Sequence, residues 1–249
     1  PDIYERLNLL CALTSYEFED FDECWIYCNK IVECIENNIQ PFYHNPSNLS
    51  SILTIIAGLY RRDNEIDKSL KYYQIAQSII SDNLNYYNEW ELSRFYNNFA
   101  VMCLHSNDYM RAYPKVKYAI NIMNDYAIKN GNEPDNPRCL YYPVDAYFTL
   151  SEILIAKEEY EEAKQILEDC LVYFRLYDND NRSISEIHGT LAYVRQLSDN
   201  NPDIASSCAR RHQFAINRYL IDSFTLTSEN RSSLWYESYQ DIVSIRTRS

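Results

Sequence analysis

The sequence predicts an all-α protein built as a linear array of helical hairpins. Glycine is rare, with only 3 residues in a chain of 249, whereas sheet proteins need glycine at many tight turns. Apolar residues recur at the spacing that places them on one face of a helix. The same pattern of helix, short polar turn and helix returns several times along the chain, as in repeat architectures.

The clearest hairpin is the segment 93–126, in which the polar turn Ser-Asn-Asp separates two amphipathic helices. Its apolar faces carry Tyr96, Phe99, Ala100 and Cys103 in the first helix, and Tyr109, Ala112, Val116 and Ala119 in the second. The alanines mark places where two helices can cross closely. Since one hairpin cannot bury its own apolar face, copies are expected on either side.

Further hairpins are predicted from the same pattern. Together with 93–126, the predicted units are 5–38, 50–83, 144–177 and the divergent 183–224, all within an array that spans 1–226. In four units a small residue of the first helix precedes one of the second by a constant interval: Ala12 and Cys24, Ala57 and Ser69, Ala100 and Ala112, Ser151 and Ala163. The proline-rich stretch 129–143 is predicted to be a loop, and 227–249 a helix that caps the array.

A period of about 34 residues with small residues at these positions resembles the tetratricopeptide repeat. The aromatic residue that the family places before its second helix is matched by Phe21, Tyr109 and Tyr160, with Ile66 substituting. The family's first-helix glycine is Ala or Ser here, and its closing proline is absent. The resemblance implies a right-handed superhelix whose concave face binds a protein or a peptide.

That concave face gives the candidate binding residues. In units of this family, the ligand-facing positions correspond to Thr54, Gly58, Arg61, Arg94, Asn97, Asn98, Val101, Phe148 and Glu152. They are mostly not basic, so a clamp for the carboxylate tail of heat-shock chaperones is not expected. Two interpretations of the arginines and asparagines remain open: they grip a peptide backbone or an acidic side chain, or they pair with surface acids and neighbouring turns.

Several other classes of function are disfavoured. The net charge of -13 opposes nonspecific nucleic-acid binding, and no apolar run is long enough to span a membrane. The 8 cysteines include no CxxC pair, which indicates a reduced, cytoplasmic protein without a metal site. The sequence contains no glycine-rich phosphate loop, so no cofactor is predicted. Cys208 and His212 lie one helical turn apart, but no orienting partner is indicated, so the chain is predicted not to be an enzyme.

The tail contains a second resemblance. Ser228, Glu229, Arg231 and Trp235 are similar to the helix that ends the repeat region in bacterial CHAT-domain proteins, where a caspase- or separase-like protease domain follows. The resemblance implies a regulatory N-terminal part of a larger CHAT-type protein, with the effector domain as a possible intramolecular partner. The alternative is the ligand-sensing repeat domain of a bacterial transcriptional or signalling regulator. Because the sequence begins at Pro1, we expect it to be part of a longer protein.

Overall fold

The computed structural model describes residues 2–37, 39, 43–177 and 181–198. Over these residues the protein is all-α, as predicted, with consecutive helices packed as hairpins. The helices are α1 (Asp2–Glu17), α2 (Phe21–Glu36), α3 (Pro46–Arg62), α4 (Ile66–Asp82), α5 (Glu89–His105), α6 (Tyr109–Lys129), α7 (Val144–Ala156), α8 (Tyr160–Tyr177) and α9 (Asn181–Ser198). A short 3₁₀ helix, Leu84–Tyr86, precedes α5.

The turns after α1, α3, α5 and α7 share one backbone geometry. Each has three residues, and its middle residue adopts a left-handed conformation: Glu19 (φ 60), Asn64 (φ 60), Asn107 (φ 56) and Glu158 (φ 64). In each turn the last amide donates to a carbonyl five residues back, as in the bond from Glu65 to Tyr60 at 2.8 Å. This bond satisfies a carbonyl that the helix end leaves free. The repeated turn therefore supports the repeat predicted from the sequence.

The chain divides into two compact units, and the first comprises residues 1–159. In this unit α1 pairs with α2, α3 with α4 and α5 with α6, while α1, α3, α5 and α7 pack in succession. The predicted small residues lie at the centres of the hairpins. Ser69 Oγ donates to the carbonyl oxygen of Ala57 at 2.7 Å, and both residues are fully buried. Cys24 Sγ donates in the same way to the carbonyl oxygen of Ala12 at 3.3 Å.

The second unit comprises residues 160–249, of which 160–177 and 181–198 are described. Its described part is the pair α8 and α9, joined at the surface by an ion pair between Arg195 and Glu168. Its buried apolar residues are Ala163, Ile166, Leu167, Cys170, Leu171, Phe174, Ile187, Leu191 and Val194. The predicted pair Ser151 and Ala163 is split between the two units, and each residue is fully buried.

The predicted loop is well defined by hydrogen bonds. Asn124 and Asp135 bond each other twice, at 2.7 and 3.1 Å, and the hydroxyl of Tyr147 also donates to the carboxylate of Asp135. The ring of Tyr142 stacks on that of Tyr147, with centroids 4.4 Å apart. These contacts attach the long connection between α6 and α7 to the body of the first unit.

Two helices begin before the predicted unit starts at 50 and 93, because their caps lie upstream. Asn45 caps α3 by accepting from the amides of Ser47 and Asn48. Asn88 and Glu91 form a capping box at the start of α5. The predicted helices 204–224 and 227–249, together with Cys208 and His212, lie outside the described residues.

Within the described ranges, no helix is long and apolar enough to cross a bilayer. The cysteines of these ranges form no disulfide, and five of them are buried: Cys24, Cys28, Cys103, Cys139 and Cys170. A buried cysteine without a disulfide packs as a small apolar residue.

We expect the crossing of α3 and α4 to tolerate no larger side chain at Ser69. Ser69→Leu should lower the free energy of unfolding by about 1–3 kcal/mol or more, because its extra volume must separate the two helices. Ser78→Leu, at an exposed position of α4, should stay within roughly 0.5 kcal/mol of the parent protein. Urea denaturation measures both changes, and equal effects at the two positions would contradict the close crossing.

We expect the protein to lose stability in alkaline solution through Tyr43. This residue is 3% exposed, and burial raises the pKa of its hydroxyl to about 12. Its ordinary value is about 10, so the unfolded state loses its proton first as the pH rises from about 10 to 12. Tyr43 should lower the free energy of unfolding by up to about 3 kcal/mol over that interval. Below about pH 10 the tyrosine is protonated in both states, so it should add no pH dependence there.

The pH dependence of urea denaturation measures this effect. Tyr43→Phe should have a shallower decline, whereas Tyr118→Phe, at a position 47% exposed, should decline as the parent protein does. A Tyr43→Phe protein with the parent's slope would contradict the prediction.

Candidate binding groove

A groove with a cavity volume of about 360 Å³ runs along α1, α3 and α5 in the first unit. We call it the front groove. Its polar lining includes Tyr16, Thr54, Arg61, Glu91, Arg94 and Asn98, and its apolar lining includes Leu13, Ile55, Phe95 and Val101, with Gly58 between them. The groove follows from helix periodicity: residues three and four apart share one face, and neighbouring first helices place these faces side by side.

Gly58 makes room for the side chain of Tyr16. A Cβ atom at this position would lie 2.6 Å from the hydroxyl oxygen of Tyr16, so the Tyr16 side chain of α1 packs directly against the backbone of α3. Glycine within a helix costs about 1 kcal/mol relative to alanine. The cost has a structural reason, because the ring of Tyr16 occupies the space that a side chain would need.

The groove contains two arginines without acidic partners. Among the described residues, no carboxylate lies within 4 Å of the guanidinium of Arg61 or Arg94, and neither makes a hydrogen bond. Glu91 is committed elsewhere: its carboxylate accepts from the amide of Asn88 at 3.0 Å and from Ser47 Oγ at 3.5 Å. The front groove is therefore a locally positive surface in a chain of net charge -13.

The charge of Arg61 acts on its neighbours. Burial lowers the pKa of His105, and the nearby Arg61 lowers it further, so the neutral imidazole is favoured. Burial raises the pKa of Tyr73, and Arg61 partly opposes that rise. Both effects arise because the charge of Arg61 lies near these two side chains.

The structure brings together part of the predicted set. Arg61, Arg94, Asn98 and Val101 line the front groove, as do Thr54 and Gly58. The other three predicted residues do not line it.

Asn97 is only 8% exposed, and among the described residues its Oδ1 atom has no hydrogen-bond partner. Phe148 and Glu152 lie half-buried on α7, away from the lining of the front groove. The prediction grouped all these residues because the repeat register treats every first helix as equivalent.

Sequence reasoning missed the part of the groove that α1 contributes. Leu13 and Tyr16 follow Ala12 by the same steps by which Gly58 and Arg61 follow Ala57. The repeat positions of Leu13 and Tyr16 therefore already indicated that both residues line the groove. Tyr87 was also missed; its hydroxyl donates to the carbonyl oxygen of Pro46 at 2.8 Å and lies 3.0 Å from Ser50 Oγ, which secures the start of α3.

Within the part of the chain that the structure describes, no three His, Cys, Asp or Glu side chains are grouped to hold a metal ion. The front groove also holds no paired acid and base, since Glu91 is its only described carboxylate. The groups that line it include two cations, one amide side chain and apolar side chains.

Neither a protein-family model nor a curated protein matches this sequence. Among solved structures, the crystal structure of BtubC (BKLC) from P. vanneervenii is similar, with a TM-score of 0.61 and 17% sequence identity. The match covers 88% of this chain and 80% of BtubC. This likeness concerns the fold alone: the chain is an all-helical, repeat-like protein whose structure is similar to that of BtubC, which contains tetratricopeptide repeats.

Proposed function

We propose that this chain is a protein-binding module that holds an extended acidic peptide segment in the front groove. The observation that carries the proposal is the pair Arg61 and Arg94, which face one partly apolar groove with no carboxylate partner among the described residues. The fold supports it, because tetratricopeptide-like arrays typically serve as protein-binding scaffolds and are generally not catalytic.

The groove offers each group that such a segment needs. The guanidinium groups can each take a carboxylate through two parallel hydrogen bonds. Such charge-assisted bonds contribute about 1.5–3 kcal/mol. The amide of Asn98 can bond the peptide backbone, and Leu13 and Val101 can contact an apolar side chain between the acids. An extended segment suits a groove that runs along the first helices of three successive hairpins.

The wider role that we propose comes from the tail resemblance, whose residues 228–235 lie outside the described ranges. In this role the array is the regulatory part of a CHAT-type protein and controls a protease domain of the same chain. The sequence that follows Ser249 in the full-length protein tests the assignment. A caspase-like domain with its His and Cys would support it, and a helix-turn-helix domain would contradict it.

Selection from a random peptide display library against the full chain tests the groove. We expect the enriched peptides to carry acidic residues on both sides of an apolar one. Arg61→Glu and Arg94→Glu should each weaken binding of the best peptide by about tenfold or more, because an attraction becomes a repulsion. Fluorescence anisotropy with the labelled peptide measures the dissociation constants.

Lys71→Glu is the matched control, since it makes the same charge change at an exposed position of α4 outside the groove. It should change the affinity little. Arg61→Lys should retain part of the binding, because lysine keeps the charge but not the planar two-point contact. A library that yields no enriched peptide, or peptides that bind the Arg61→Glu and Arg94→Glu proteins equally well, would contradict the proposal.

A further inference from the structure

A second cavity, of about 510 Å³, lies on the other side of α5. We call it the back cleft. It is lined by α4, α5 and α6, and the residues that matter for its chemistry are Leu70, Gln77, Phe99, Met110, Pro114 and Lys115. Phe99 faces away from Arg94 and Asn98, because residues one and five positions apart on a helix project in different directions. The two cavities are thus separate surfaces of the first unit.

Lys115 is the cation of the back cleft. Its Nζ atom lies 3.7 Å from the centroid of the Phe99 ring, and it donates to Gln77 Oε1 at 3.4 Å. Among the described residues, no carboxylate lies within 4 Å of it. Burial lowers the pKa of Lys115, which agrees with an ammonium group that lacks a full shell of water or an acidic partner.

The neighbouring cation is already neutralised. Arg111 lines the same cleft, and its Nε atom lies 2.8 Å from a carboxylate oxygen of Asp108. The uncompensated positive charge of the cleft is therefore concentrated at Lys115, above the buried ring of Phe99.

The walls of the back cleft are apolar and partly rigid. The Met110 side chain is 87% exposed, although it is a large apolar group. Pro114 stands inside α6 and has no amide hydrogen, so it cannot donate to the carbonyl of Met110 four residues earlier. Leu70 forms part of the opposite wall on α4. A cavity of several hundred Å³ with apolar walls and a few polar groups is typical of small-molecule sites.

We propose that the back cleft binds a small organic carboxylate, with the carboxylate group at Lys115 and the apolar body against Leu70, Met110 and Pro114. This binding is independent of the peptide groove. The amide of Gln77 lies beside Lys115 and can bond the second carboxylate oxygen. Such a ligand supplies the acidic partner that the ammonium group lacks, and it covers the exposed side chain of Met110.

Phenylbutyrate is a suitable probe, and phenylbutanol is its uncharged counterpart. The chain contains only 3 methionines, of which Met102 and Met123 are at most 1% exposed. In the full chain labelled with ¹³C at its methionine methyl groups, phenylbutyrate should shift the Met110 signal and leave the other two in place. Met110→Leu assigns that signal. Calorimetry then gives the dissociation constants.

Lys115→Gln should weaken phenylbutyrate binding by about tenfold or more, the effect of losing one charge-assisted bond. Lys117→Gln removes the same charge from the same helix at a half-buried position outside the cleft, and it should leave the affinity unchanged. Arg94→Glu should also leave it unchanged, which separates this site from the front groove. Phenylbutanol should bind the parent protein about tenfold or more weakly than phenylbutyrate.

The proposal is overturned if the Met110 signal does not move at millimolar phenylbutyrate, or if phenylbutanol binds as well as the acid. It is equally overturned if Lys117→Gln weakens binding as much as Lys115→Gln. Lys115→Arg guards against loss of folding in the glutamine variant, since it keeps a cation above Phe99. If Lys115→Gln does not fold, then a folded Lys115→Arg protein that no longer prefers the acid over the alcohol also overturns the proposal.

Discussion

The close crossing of two helices at a pair of small residues is the constraint on which the first unit depends. Ser69 Oγ reaches the carbonyl oxygen of Ala57 at 2.7 Å, and the thiol of Cys24 reaches that of Ala12. A carbonyl has two lone pairs, so it keeps its helical bond while it accepts the second one. The close crossing leaves room for larger residues only beside it, and the first helices α1, α3, α5 and α7 pack on one another in succession.

Much of this arrangement was predictable, because spacing alone fixes which residues meet. The interval between Ala57 and Ser69 predicts the crossing, and the polar turns predict the hairpins. The helix starts were less well predicted. The apolar pattern predicts the starts at 50 and 93, but Asn45 and Asn88 cap the helices several residues earlier. Each helix therefore begins before the first residue of its predicted repeat unit. The left-handed residue of each turn was not predicted either, since Glu19 and Glu158 are unusual in that conformation.

The binding surfaces were less predictable than the fold, for a physical reason. Repeat register places Arg61 and Arg94 on ligand-facing positions, but it does not tell whether an acid neutralises them. That depends on Glu91, whose carboxylate is used by its own helix start. The glycine at position 58 could not be explained from the sequence either, because its reason is the neighbouring ring of Tyr16. Nothing in the sequence indicated a binding role for Lys115. Its ammonium group on α6 lies above the ring of Phe99 on α5, and residue spacing does not predict this contact.

Three described cations that line the two cavities, Arg61, Arg94 and Lys115, have no carboxylate within 4 Å. Several other cations lie beside a carboxylate, as Lys68 does with Glu65 and Arg111 with Asp108. Such pairs contribute little to stability, and their charges largely cancel. At a net charge of -13 the chain repels an acidic ligand at a distance. In physiological salt, however, that repulsion is screened beyond about 8 Å. At closer range the local cation decides the interaction, and this is the physical basis for the acidic ligands that we propose for the front groove and the back cleft.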